Sequence, residues 1–193
     1  MTGTEEYIEV LTRLKLGELG VLRAHAGQGL DESLEGFDLF AGLWWPLRQK
    51  TQWAPERRSA WLVAKLFGAV RVPHVRAAPK EIFRGLAAVL GREERRQKDI
   101  RRFRQRFDTL LLSPLSGLEP HLRWALGVAR DAVGKGRERG IDWVKLLDDL
   151  GRWHRKHKIR ERWAADYLGL FKEKGETHVD RDSHDSESCA GQP

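Results

Sequence analysis

Apolar residues recur at three- and four-residue intervals through most of the chain, and that spacing predicts helices. The clearest case is residues 141–171. Trp143, Leu146, Leu147, Leu150 and Trp153 fall at i, i+3, i+4, i+7 and i+10, one stripe of a helix with Asp142 as its N-cap. Lys145, Asp148, Asp149, Arg152 and Lys156 occupy the opposite side and are expected to face solvent or a charged partner. A basic turn, His154-Arg155-Lys156-His157-Lys158, leads into a second amphipathic segment. Ile159, Trp163, Tyr167 and Leu170 form its apolar side, with Arg160 and Arg162 between them.

The same period runs through the rest of the chain. Residues 5–19 carry an imperfect stripe (Tyr7, Ile8, Leu11, Leu14), and a second helical piece, 18–25, carries Arg23. Residues 37–45, FDLFAGLWW, are apolar nearly all round; they should plug a core from several sides and stop at Pro46, which cannot continue a helix interior. Ala54-Pro55-Glu56 is a helix start, followed by Trp61, Leu62, Leu66 and Ala69 on one face and the stop Val72-Pro73. Pro79 repeats the start signal, Ile82, Phe83, Leu86, Val89 and Leu90 form the next stripe, and Gly91 is expected to end it. Ile100, Phe103, Phe107, Leu110 and Leu111 share a face, and so do Leu122, Leu126, Ala129 and Val133, with Arg123 and Arg130 outward. No segment alternates with period two. The fold class is all-α: two small helical bundles in tandem, 1–94 and 95–172, with a boundary in the charged stretch at 91–98. Residues 173–193 lose their apolar positions and are expected to be a disordered tail, because such a composition cannot offset chain entropy.

Charge sharpens this picture. The chain carries +7, unevenly: in the tail Glu173, Glu176, Asp180, Asp182, Asp185 and Glu187 face only Lys174 and Arg181, a net −4 that leaves +11 on residues 1–172. Such a body favours a polyanion, nucleic acid before an anionic membrane. At about 100° per residue, Arg95, Lys98, Arg102 and Arg106 fall on a stripe beside the apolar one, spaced to track a phosphate backbone. With the positive corner after Trp153, this nominates Lys98, Arg102, Arg106, Arg123, Arg152, Arg155, Lys156 and Arg160 as phosphate contacts. The competing reading is a helical scaffold whose basic face binds acidic protein surfaces.

Enzyme chemistry finds little to stand on. No phosphate loop, dinucleotide glycine pattern, zinc cysteine pattern or serine elbow occurs. His154 and His157 sit among Arg152, Arg155, Lys156 and Lys158, whose charge repels a cation, and Asp148 and Asp149 point about 100° apart on a helix. No metal, cofactor or catalytic residue is expected. Trp61, Trp124, Trp143, Trp153 and Trp163 lie in apolar segments and are expected in the core, whereas Trp53 sits in a polar stretch. The single cysteine, Cys189, fits a reducing compartment, and no run of about 18 apolar residues suggests a membrane span. A cytoplasmic protein is the expectation.

Three ordered segments carry a family resemblance: SAWLVAKLFGAV at 59–70, RRFRQRFDTLLLSPLSGLEPHLRWAL at 101–126, and GIDWVKLLDDLGRWHRKHKIRERWAADYL at 140–168. Their order and spacing resemble the CasB family, the small subunit of the type I-E CRISPR Cascade complex. The last segment matches the family's Asp-Trp pair, Leu-rich helix ending in Trp, basic turn, and Arg-rich helix with Trp-Ala and a closing aromatic. The resemblance implies a non-enzymatic protein of two small bundles that sits as a pair along the belly of Cascade. Its implied partners are the guide-RNA (crRNA) complex, the other Cascade subunits and the displaced single-stranded DNA of an R-loop. The tail lies outside the family pattern.

Overall fold

A computed structural model describes residues 2–50, 54–76, 85–154 and 156–170, with all their side chains except those of Asp31, Lys156 and His157. The expected tail, Trp53, Arg155 and the expected helix start at Pro79 with Ile82 and Phe83 lie outside the described residues. Nine α-helices appear among those described: α1 (Gly3–Thr12), α2 (Leu16–Ala24), α3 (Leu34–Lys50), α4 (Arg57–Val70), α5 (Leu86–Glu94), α6 (Ile100–Leu112), α7 (Glu119–Gly134), α8 (Trp143–Gly151) and α9 (Lys156–Leu168). Short 3-10 turns at Leu30–Glu32 and Leu115–Gly117 precede α3 and α7. The only extended pairing described is an isolated parallel bridge between His74 and Ile141.

Local chemistry sets the helix starts. Thr2 and Glu5 form a reciprocal capping box on α1, Asp99 accepts from Arg102 N at 2.9 Å on α6, and Asp142 accepts from Lys145 N at 2.9 Å on α8. On α4 the cap is Glu56 itself, so Pro55 lies just outside the helix. Glu56 accepts from Arg58 N at 3.0 Å and from Ser59 N and Ser59 Oγ at 2.8 Å. Partial burial pulls its carboxyl upward, but these bonds win and hold it below its ordinary value. A depressed carboxyl adds stability above its unfolded pKa and loses it as pH falls through the lower, folded one. Glu56→Ala is therefore expected to cost about 1 kcal/mol at pH 7, with the difference fading on acidification below the unfolded value of 4.5. Urea unfolding of both proteins across that range checks it.

Helices of both sequence halves share one buried cluster, to which all nine contribute. α4 packs on α2 and α3 and also on α7 and α8, while α5 packs on α6, α7 and α9. Two backbone bonds lace the halves together, Val75 N to Ile141 O at 2.9 Å and Ile141 N to Pro73 O at 3.1 Å. Gly140 permits this approach: its φ is +154°, and a Cβ there would lie 2.3 Å from Pro73 O. A division at 91–98 is therefore a proposal about independently folding units, across a boundary where buried side chains are continuous.

Several expectations change in three dimensions. The first helical stretch is two helices, broken at residues 13–15. α3 does not stop at Pro46 but runs through it to Lys50. Pro46 is exposed, as is Gly42, whose carbonyl loses its donor to the proline. Buried Leu47, and Trp44 Nε1 donating to Pro55 O at 2.9 Å, hold the turns on either side. α3 also presents Leu34, Phe37 and Trp45 to solvent, so it plugs the core from one side only. Gly91 does not end α5, which continues to Glu94. No helix among the described residues is long and apolar enough to cross a membrane.

Candidate nucleic-acid interface

The cations of this chain differ in what they already hold. Glu93 and Glu94 are buried at the C-terminal end of α5, where the helix dipole disfavours anions. Glu93 accepts from Arg137 Nε at 2.9 Å and Arg96 Nη1 at 3.4 Å, and Glu94 accepts from Arg104. Arg92 Nε reaches Glu138 at 2.6 Å. The segment 135–140, whose Lys135-Gly136-Arg137-Glu138-Arg139-Gly140 sequence reads as a mobile basic loop, is thus tied to α5 at two points. Donating to Glu94 and to Glu93 holds Arg104 and Arg137 above their ordinary values. These guanidiniums are structural cations.

A second buried network replaces an expected solvent face on α8. Asp149 is buried, accepting from Trp163 Nε1 at 2.7 Å and from Arg162, while Lys145 Nζ meets the buried Asp166 at 2.9 Å. Burial pushes the Asp149 carboxyl up against the opposing pull of these donors. Asp148 faces elsewhere, accepting from Thr4 Oγ1 at 2.8 Å. The expected outward placement of Lys145 and Asp149 fails because Arg162, Trp163 and Asp166 of α9 meet that side of α8, which spacing within α8 does not reveal. No group of three or more His, Cys, Asp or Glu that could hold a metal occurs among the described residues.

Of the expected four-cation stripe, Lys98 lies in the bend before α6, not on it, and Arg95 caps α5, so the stripe is reduced to Arg102 and Arg106 on α6. Lys98 and Arg102 are exposed, and their side chains have no partner among the described residues. Arg106 lies over the ring of Trp124, with its guanidinium carbon 5.4 Å from the centroid. Arg123, next to Trp124 on α7, is exposed and holds Glu119 only loosely, at 3.5 Å. The structure therefore gathers Arg106 and Arg123 near one indole, Arg106 over its ring and Arg123 along the cavity that Trp124 also lines. Arg152 and Arg160 lie apart from this pair. Arg152 Nε donates to Asp148 O at 3.0 Å, and Arg160 Nη2 donates to Leu112 O, at the end of α6, at 3.2 Å. The Arg160 Nε is buried without a partner among the described residues. Arg155, and the side chain of Lys156, fall outside the described residues.

Two cavities meet at Arg123. One, of about 300 Å³, is lined by Arg23, Ala26, Ala69, Val70, Arg123, Gly127 and Arg130. Sequence reading did not nominate Arg23 or Arg130 as contacts. The seven-residue spacing of Arg123 and Arg130 hints at a shared face; Arg23 joins them only because α2 packs on α4 and α4 on α7. The other cavity, about 590 Å³, is lined by Gly27, Ser116, Glu119, Pro120, Arg123 and Trp124. Glu119 does not make it acidic. It is paired with Lys65 Nζ at 2.6 Å and accepts from Gly27 N at 2.6 Å.

Comparison with known proteins agrees with this architecture. The family model described as CRISPR-associated protein Cse2 matches residues 18–168. A curated CRISPR-associated protein Cse2 from Thermus thermophilus is 30% identical over 126 residues, spanning 64% of this chain and 64% of the relative, just under two thirds of its length. The crystal structure of a Cse2-family CRISPR-associated protein from the same organism superposes with a TM-score of 0.64 at 25% identity, covering 88% of this chain and 99% of that one. The structure of M. ruber CasB, 20% identical, shares the fold with a TM-score of 0.66 over 88% of this chain and 94% of its own. With its helical order, its buried tryptophans and the match over most of its length, the chain belongs to the CRISPR-associated Cse2 family, the CasB family that its motifs resemble.

Proposed function

We propose that this chain is the small subunit of a type I-E CRISPR RNA-guided surveillance complex, without catalytic activity of its own. Its basic face binds nucleic acid without sequence preference, touching the guide backbone and holding the displaced DNA strand of the R-loop. Its further partners are the other Cascade subunits and a second copy of itself within the complex. The observation that carries this reading is a set of cations on α7, on α6 and just before it: Lys98 and Arg102 are exposed without a partner among the described residues, Arg106 lies over Trp124, and Arg123 next to it is held only loosely by Glu119. The family supplies the CRISPR setting. Exchanging a DNA duplex for a guide–DNA heteroduplex is nearly balanced in free energy, so modest backbone contacts to the displaced strand are enough to tip it.

Such contacts are read by salt. For single strands each lost phosphate contact lowers the slope of log affinity against log salt by about 0.7. The double variant Arg102→Ala, Arg106→Ala is expected to lower the slope by about 1.4 and to weaken binding on the order of tenfold at 0.1 M salt. The loss should be equal for all sequences. Folding should survive, since exposed charges contribute within about ±0.5 kcal/mol. Fluorescence anisotropy with labelled single strands measures this, and R-loop lifetime in a reconstituted complex gives the functional outcome. An R-loop as long-lived as wild type, with assembly intact, would assign the basic face to acidic protein surfaces instead.

A further inference from the structure

The tryptophans divide by what their indole N–H does. Trp44, Trp61, Trp143 and Trp153 donate to backbone carbonyls, and Trp163 donates to Asp149. A buried indole ordinarily finds such a partner, so these are structural tryptophans. Trp124 is different. It is half-buried, its N–H has no acceptor among the described residues, and its ring lines the 590 Å³ cavity with Pro120, one turn earlier on α7. Phe103 supports the ring at 5.1 Å and 65°, and Arg106 lies over it. Trp45 also lacks an acceptor, but it stands on the exposed side of α3. Among the described tryptophans, Trp124 combines a partly open ring, a donor without an acceptor among the described residues and two neighbouring cations.

We propose that this groove receives one unpaired nucleobase, packed on the Pro120–Trp124 strip, with a base carbonyl accepting the Trp124 indole N–H. Arg123 and Arg106 then hold the phosphates on either side. This rests on the proposed nucleic-acid function and adds to it that the strand must be single. A duplex keeps its base faces stacked, whereas a single strand offers a π-surface between two phosphates, and base–aromatic stacking tolerates any base. The cavity lies in the size range of about 300–1,000 Å³ typical of ligand sites. Glu119, on the groove wall, is already neutralised by Lys65 and does not repel the strand.

The test compares an oligothymidylate with an abasic sugar-phosphate strand of the same length, both binding the full chain in anisotropy competition. Wild type is expected to prefer the base-bearing strand by about tenfold, the lower part of the stacking range. Trp124→Leu should erase that preference without changing the salt slope, Trp124→Phe should keep much of it, and Arg123→Ala should weaken both strands equally. Pro120→Asp is the second probe. It places an acid in the first turn of α7, where the helix dipole accepts one, so it keeps the fold even if Trp124→Leu does not, and it should also erase the preference. Equal binding of both strands by wild type, with a steep salt dependence, overturns the base site and leaves the proposed function standing. Binding of neither strand overturns both. A preference that survives in folded Trp124→Leu, or in Pro120→Asp, overturns the placement at this groove.

Discussion

Trp143→Ala is expected to lower the melting temperature by on the order of 10 °C, from a loss of about 3–5 kcal/mol in a chain of this size. Trp143 is 0% exposed. Its ring meets Phe67 of α4 at 5.1 Å in an edge-on arrangement, and its Nε1 donates to Val72 O at 2.9 Å. Alanine would leave a large cavity and an unsatisfied carbonyl at the point where α8 meets α4. The loss therefore falls on the joint between the two sequence halves, not on one helix. Thermal unfolding followed by circular dichroism measures it. At low temperature the folded fraction should bind single strands as wild type does. An unchanged melting temperature together with lost binding would make Trp143 a contact residue, contrary to its burial.

Gly91→Ala offers a sharper contest, because two effects of known sign oppose each other. In a free helix, replacing an interior glycine by alanine stabilises by about 1 kcal/mol. Here a Cβ on Gly91 would lie 1.9 Å from the backbone oxygen of Tyr167. The obstacle is backbone, so no side chain can swing aside, and α5 and α9 would have to separate. Overpacking costs about 1–3 kcal/mol and more where the lining is rigid, so packing should win and the variant should be clearly destabilised. The same separation would disturb the stacked Phe107 and Tyr167 rings, now 3.9 Å apart. A melting temperature at or above wild type, with near-ultraviolet dichroism unchanged, would refute the close approach of α5 and α9.

Gly91 also shows why part of the fold escapes a sequence reading. A glycine following a stripe of apolar residues is a good stop signal, and nothing within residues 86–94 reveals that another helix passes within contact of it. Pro46 is the converse case, a breaker overridden by the burial of Leu47 beyond it. The candidate site divides in the same way. Of the expected stripe, Arg102 and Arg106 are legible because positions four apart share a helix face, whereas Arg95 caps α5 and Lys98 precedes the Asp99 cap of α6, so neither continues that face. Trp124 reads as core from its apolar neighbours, and only packing shows that its ring borders a cavity and that Arg106 lies over it. Arg23 had no signal at all, because its approach to Arg123 depends on how α2, α4 and α7 pack.

Sequence alone determined the helices, the Asp142 cap, the inward stripe from Trp143 to Trp153 and the basic character of the body, because periodicity, capping and charge are local or additive properties. Tertiary structure alone decided which charges are spent. Glu93, Glu94, Asp149 and Asp166 are buried with arginine or lysine partners from other helices or, for Glu93, from the segment between α7 and α8. Those pairs engage Arg104, Arg137, Arg162 and Lys145 and leave Lys98 and Arg102 exposed, with Arg106 over a half-buried indole and Arg123 next to it. A charge is satisfied by what lies within a few ångströms of it, and between helices that distance is set by packing, which residue spacing along the chain does not encode.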